Sequence, residues 1–198
     1  MDSTDTLIDR DLLDFLSGFP ELDKGERLAI GSKIPVREYK KGHILVSEDE
    51  IPLECYFVLQ GCVRQYYLID GEEKTTAFFT ERQAVAATNF IDQTPSKYYL
   101  ACVEDAKLIV GSIHQDEEMY TQFPKLITIT RAMIEQDFNN TRENFASFII
   151  SSPKKRYLDL LETRPDLLNR VPQHQIASYL GITPESLSRI RKRIVSKK

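Results

Sequence analysis

Apolar positions set the first division of the chain. In TLIDRDLLDFLSGFPELDKGERLAIGSK, residues 6 to 33, they recur every three or four places and are interrupted at Gly18 to Pro20, which predicts two short helices. Between residues 34 and 110 the period shortens. Runs such as CYFVLQ, CVRQYYLI and KTTAFF are rich in β-branched and aromatic residues and are punctuated at Gly42, Gly61 and IDGEE. Short strands with tight turns predict a β-sandwich or barrel. Gly61 and Gly71 are natural hairpin positions, because glycine enters the left-handed region without steric cost.

After Pro124 the helical period returns. PKLITITRAMIEQDFNNTRENFASFII has no internal Pro or Gly, and its Ile127, Ile134, Phe138, Phe145 and Ile149 follow one another at seven, four, seven and four places. These make one continuous stripe on a helix of about 27 residues, roughly 40 Å long, ending at Ser152-Pro153. That is longer than a small barrel can cover. A second copy of the same helix is the economical partner, giving a two-fold dimer along Ile127, Ile134, Phe138, Thr141 and Phe145. Packing of the whole stripe on the chain's own barrel is the alternative, and Asn139, Asn140 and Asn144 make the seam less apolar than a strict coiled coil.

Beyond Pro153, KKRYLDLLETRPDLL offers Tyr157, Leu158 and Leu161 as one helical face. In VPQHQIASYLGITPESLSRIRKRI, Pro172 suits a first helical position, Ile176, Ala177 and Leu180 give a buried face, and Gly181 permits a sharp turn. Thr183 then caps a second helix, Pro184 opens it, and Glu185 sits in its first turn, where the helix dipole favours an acid. Helix, tight turn and helix with a small Ala at the crossing is the sequence form of a DNA-binding helix-turn-helix. At 100° per residue, Leu187, Ile190 and Ile194 share the packed face. Glu185, Ser188, Arg189 and Lys192 then face outward from a recognition helix at about 184–195. Such a row can meet base edges: arginine bonds guanine bidentately, glutamate accepts from cytosine and serine serves either sense. Thr183, Ser186 and Arg193 complete the expected DNA-contacting set. Glu185 and Arg189, four apart, can also pair with each other, a contact that a solvated helix surface would explain equally well if it stood alone.

Charge sharpens this picture. Residues 151 to 198 carry eleven Lys and Arg against four Asp and Glu, a net +7, and the preceding 150 carry 15 against 26, a net -11. The split implies a nucleic-acid-facing module joined to a part with another task. The overall 41% hydrophobic and 28% charged content excludes wholesale disorder. The N-terminus shows no basic stretch before an apolar run, and no segment has 18 uninterrupted apolar residues, so a cytoplasmic protein with no membrane partner is expected.

Candidate chemistry is sparse. Cys55, Cys62 and Cys102 form no C-x-x-C pair and read as small core hydrophobes. His43, His114 and His174 lack metal-ligand spacing, so no metal site is expected. No nucleophile elbow and no phosphate-binding glycine loop is present. An enzyme is therefore unsupported, since a barrel active site would have to use Thr88, Asn89 and scattered carboxylates.

Taken together, the helical start, the barrel with KKGHILVSEDE leading into CYFVLQGCVRQYYL, the long helix and the terminal ASYLGITPESLSRIRKRI resemble the Crp-Fnr family of bacterial transcription regulators. Gly42 and Gly61 stand at the family's barrel positions, and Glu185, Ser188 and Arg189 form its E-x-x-S-R recognition pattern. The resemblance implies an α+β chain: an N-terminal double-stranded β-helix (jelly-roll) barrel of cyclic-nucleotide-binding type, a long central dimerisation helix, and a C-terminal helix-turn-helix without a C-terminal wing. The expected divisions are 1–123, 124–152 and 153–198. It also implies a homodimer on double-stranded DNA at a palindromic promoter site, with RNA polymerase as a further partner and half-sites of the TTGAT type.

The sensing chemistry departs from the family. Where cyclic-nucleotide binders hold ribose and phosphate with a glutamate and an arginine, this chain reads QAVAATNFIDQTPSKYYLACVED. Ala87 stands near the acid's place, and Lys97 or Tyr98 near the guanidinium's. Arg64, Ala87, Thr88, Asn89, Lys97 and Tyr98 are the degenerate pocket candidates, and the means to grip cyclic AMP is largely missing. The alternatives are another small effector or a barrel filled by its own side chains, such as Tyr98 and Tyr99. No cysteine precedes Cys55, so the family's iron-sulfur cluster is excluded, and no cofactor is expected. A small-molecule sensor with vestigial DNA binding is the second functional reading.

Overall fold

The structure, a computed structural model, describes residues 8–85 and 92–195. Two N-terminal helices, α1 (Arg10–Ser17) and α2 (Lys24–Gly31), match the predicted pair. Asp9 caps the first, and Asp23 with Glu26 forms a reciprocal capping box on the second, which is why both begin where an Asp precedes the apolar run. Eight strands follow: β1 (Val36–Tyr39), β2 (Ile44–Val46), β3 (Cys55–Gln60), β4 (Val63–Ile69), β5 (Glu72–Phe79), β6 (Ala84–Val85), β7 (Tyr99–Cys102) and β8 (Ala106–Gly111). They pair antiparallel in two four-stranded sheets of order β1-β8-β3-β6 and β2-β7-β4-β5, the strand order of a jelly roll.

Alternation fills the space between the sheets. Val63 opposes Cys102, and these pack inward with Val58, Val85, Tyr98, Leu100 and Leu108. Arg64 and Tyr66 oppose Ala101 and Tyr99 on the outer face. Gly61 turns β3 into β4 with φ of 106°, and a Cβ there would lie 2.7 Å from Ala106 Cα, so a side chain is refused on two counts.

Helix α3 (Ile113–Gln122) leads to α4 (Lys125–Ile150), 26 residues long and so about 39 Å. One face of α4 is claimed by the chain itself: Ile129, with Leu126 and Met133 beside it, packs into a cluster with Leu12, Leu16, Ile30 and Met119. The predicted stripe lies on another face. Ile127, Ile134, Phe138, Phe145 and Ile149 remain between 52% and 66% exposed, and Thr141 is exposed too. Packing of that stripe on its own barrel is thereby ruled out for this chain.

The C-terminal helices are α5 (Pro153–Thr163), α6 (Leu167–Arg170), α7 (Gln173–Tyr179) and α8 (Pro184–Val195). Two expectations shift. In α5 the buried face is Tyr157 and Leu160, with Leu161 beside them, whereas Leu158 is exposed. Residues 157, 160 and 161 obey the i, i+3, i+4 rule, and Leu158 stands 100° from Tyr157 around the axis. Pro172 is the N-cap of α7, with ψ of 140°, and not its first helical residue. Among the described residues, no helix is long and apolar enough to cross a membrane, and no three His, Cys, Asp or Glu side chains converge to hold a metal ion.

Candidate nucleic-acid interface

The α7–α8 pair is built by one turn. Leu180 ends α7, Gly181 follows at φ of 68°, its N–H donates to Ser178 O (3.0 Å), and the Ile182 N–H donates to Ala177 O (3.0 Å). This is a Schellman motif, which needs a residue tolerant of the left-handed region at the glycine's place. Thr183 then caps α8: its hydroxyl oxygen accepts from the Ser186 N–H at 3.3 Å.

Burial sorts the faces of α8. Leu187 is only 2% exposed and packs with Ile176, Ala177, Leu180 and Tyr157, and Ile190 and Ile194 lie against the same cluster. Thr183, Glu185, Ser188, Arg189, Lys192 and Arg193 are exposed, and Ser186 is half-buried. An open hollow lined by Thr183, Pro184, Glu185, Ser188 and Arg189 lies at the start of the helix. The Glu185 carboxyl is held below its ordinary range by its own backbone N–H and by the Thr183 hydroxyl, with a smaller contribution from the Arg189 charge. An expected contact is replaced: among the described residues, Glu185 and Arg189 form no ion pair within 4 Å, and Arg189 Nη2 instead donates to Ser186 Oγ at 3.3 Å. The capping hydroxyls of the first turn thus orient both charges separately.

Several side chains, most of them unremarked in the sequence, place this unit. Cys62, Phe78 and Val103 of the barrel share a core with Leu160, Leu167, Val171 and Ile176. Arg164 Nη1 donates to Phe78 O (2.9 Å) and its Nη2 to Thr80 Oγ1 (3.0 Å). Arg170 pairs with Glu81 (2.8 Å), Glu104 and, more loosely, Asp166 (3.3 Å). Strand β5 carries a bulge at Thr76, between the Gln65–Ala77 and Tyr66–Thr75 pairs. The Thr75 N–H donates to Ser178 Oγ (2.9 Å), whose hydroxyl donates to Glu73 O (3.1 Å). The only cue in the sequence was the excess of Arg after residue 151, which does not say which arginines face protein.

The barrel candidates disperse. Arg64 is on the outer face, buried against Glu73, with Nη1 3.5 Å from Thr75 Oγ1 and its guanidinium 4.1 Å from the Tyr66 ring centre. It is not a pocket residue, because strand alternation turns it away from Val63 and Leu100. Tyr98 fills the core, 5.6 Å from Tyr67, whereas Tyr99 stacks on Tyr66 at 5.0 Å outside it. Lys97 is exposed. Ala87, Thr88 and Asn89 lie outside the described residues.

Residues 36–120 match the family model of the cyclic nucleotide-binding domain. Most of the chain is similar in fold to several solved structures. FixK2 from Bradyrhizobium japonicum aligns over 83% of this chain and 85% of its own at 19% identity and a TM-score of 0.68. A CooA variant from Carboxydothermus hydrogenoformans aligns over 96% and 87% at 17% identity and a TM-score of 0.67. The catabolite activator protein of Thermus thermophilus aligns over 90% and 86% at 18% identity and a TM-score of 0.54. At these identities the likeness is one of fold. No curated protein sequence matches the chain.

Proposed function

We propose that this chain, with its cyclic nucleotide-binding-type barrel in a Crp-Fnr fold, is a dimeric, sequence-specific DNA-binding transcription regulator. One observation carries the reading: α8 buries Leu187 and leaves Glu185, Ser188, Arg189 and Lys192 exposed along i, i+3, i+4 and i+7. A helix so divided is anchored on one side and can enter a major groove with the other. The exposed stripe of α4 supports a two-fold mate, which would present two copies of α8 to a palindromic site.

In this reading the DNA contacts divide by kind. Arg189 and Glu185 read base edges, and Ser188 adjusts to either sense. Thr183, Ser186, Lys192 and Arg193 hold the backbone and fix the register. The barrel does not take cyclic AMP by the family's arginine-and-glutamate grip, since Arg64 is committed outside it and Lys97 offers one point charge. No reaction is assigned to the chain.

The test is selection of bound duplexes from a random pool, with and without cell extract. The expected product is a two-fold symmetric motif. Affinity no better for enriched fragments than for random duplex would refute specific recognition and favour a sensor with vestigial DNA binding. A motif that emerges only with extract would identify an effector-dependent regulator.

A further inference from the structure

The junction between α4 and α5 is a covalent weak point. Only Ser151 and Ser152 separate the two helices, both extended, with ψ of 141° and 156°. Rotation about those few bonds would change the angle between α4 and the helices that follow, α8 included, against the hold of the shared barrel core, Arg164 and Arg170. One side chain spans the gap from the far side. Arg156, in the first turn of α5, donates from Nε to Phe148 O (3.0 Å), one of the last four carbonyls of α4, which have no helical partner of their own. Its Nη1 donates to Leu180 O (3.0 Å), the residue that ends α7. The guanidinium carbon lies 3.7 Å from the centre of the Phe148 ring. Gly181 closes the contact: a Cβ there would come within 3.2 Å of both Arg156 Nη1 and the Phe148 ζ carbon.

We propose that Arg156 is the positioning residue that fixes the angle of the α7–α8 pair to the central helix, and so sets which half-site spacing the dimer accepts. The inference rests on the DNA reading above. Its physical basis is the planar fork of arginine, which can bond two carbonyls along its edge while stacking through its face, an arrangement that a lysine's single ammonium cannot reproduce. Arg164 and Arg170 tie the same helices to the barrel, and Arg156 ties them to the helix expected to carry the two-fold axis. In a dimer any error at this joint enters twice. The two recognition helices must still be about 34 Å apart, one turn of duplex.

The test measures binding to the selected palindrome, to versions with one central base pair inserted or removed, and to random duplex. Wild type is expected to lose at least about tenfold on either spacing change. Arg156→Ala and Arg156→Lys are expected to bind the selected site roughly tenfold more weakly and to treat the three spacings within about threefold of one another, because the aligned orientation is no longer the dominant one. Arg156→Lys keeps stem and charge, so it carries the test if the alanine variant fails to fold. Lys154→Ala, a neighbouring exposed cation, should weaken all duplexes alike and keep the spacing preference. Wild-type discrimination together with an unchanged spacing preference in both Arg156 variants overturns this inference alone. A wild type that treats palindrome and random duplex alike overturns the DNA reading and the inference with it.

Discussion

Ile134→Asp tests the proposed dimer within the exposed stripe of α4. Ile134 is 61% exposed on α4, with Phe138 one turn away and equally exposed. Full burial of an isoleucine is worth about 1.5–3 kcal/mol, so covering the exposed three-fifths contributes roughly 1.5 kcal/mol per protomer and about 3 kcal/mol per two-fold dimer. At about 1.4 kcal/mol per tenfold, loss of that burial weakens dimerisation about 100-fold, before the repulsion of two carboxylates placed near the axis is added. Sedimentation over a range of concentrations reads the shift directly. Gln136→Asp, on the opposite side of the helix and also exposed, serves as the charge control and should leave the association unchanged. Circular dichroism must show both variants helical. An Ile134→Asp protein with the wild-type monomer–dimer midpoint would refute the seam, and with it the two-fold presentation of α8.

If Arg189 reads a base, Arg189→Ala should cost about 1–3 kcal/mol on the selected palindrome, roughly 5- to 150-fold by competition binding, with little change on random duplex; equal losses on both would refute a reading role. Burial pushes the Cys62 thiol up to about 12 and the Cys102 thiol to about 11, so a chromogenic disulfide at pH 8 should titrate at most one thiol rapidly in the native protein and three after denaturation. Two fast native thiols would contradict the buried positions of Cys62, just before β4, and of Cys102, at the end of β7. At Glu81 burial pushes the carboxyl up, but the Arg170 guanidinium together with the backbone N–H groups of Glu81 and Gly61 outweighs it and holds the group below its ordinary 4.5. The stabilising effect of that pair is therefore present above the unfolded value and is lost as pH falls through the folded one. The stability gap between wild type and Glu81→Gln, from urea midpoints, should close below about pH 4; a gap of constant size from pH 7 to 3 would refute the pairing. Since Cys62, Phe78 and Val103 complete the core around Leu167 and Ile176, a fragment of residues 153–198 should give a non-cooperative melt, being too short to close a core alone; a sharp, reversible transition would show that it stands without the barrel.

What the chain reveals before folding is what repeats or what only one residue can do. The α4 stripe was legible because its five apolar side chains recur at sevens and fours, and a periodic pattern names a face without any knowledge of its neighbours. Gly61 and Gly181 were legible because each φ, 106° and 68°, lies where side chains are resisted. Arg64 was not. Its neighbours in sequence suggest a pocket cation, and its strand parity decides otherwise, but parity depends on register, which the bulge at Thr76 and the pairing with β7 set at a distance. The same limit hid Arg156, Arg164 and Arg170. Eleven cations after residue 150 give the C-terminal helices a net positive charge, and by charge alone all are candidates for phosphate. Three of them are committed to protein: one to Phe148 and Leu180, one to Phe78 and Thr80, one to Glu81 and Glu104. Net charge measures long-range attraction to DNA, while the division of labour among its arginines depends on which carbonyls and carboxylates the barrel and α4 bring within about 3 Å of each one.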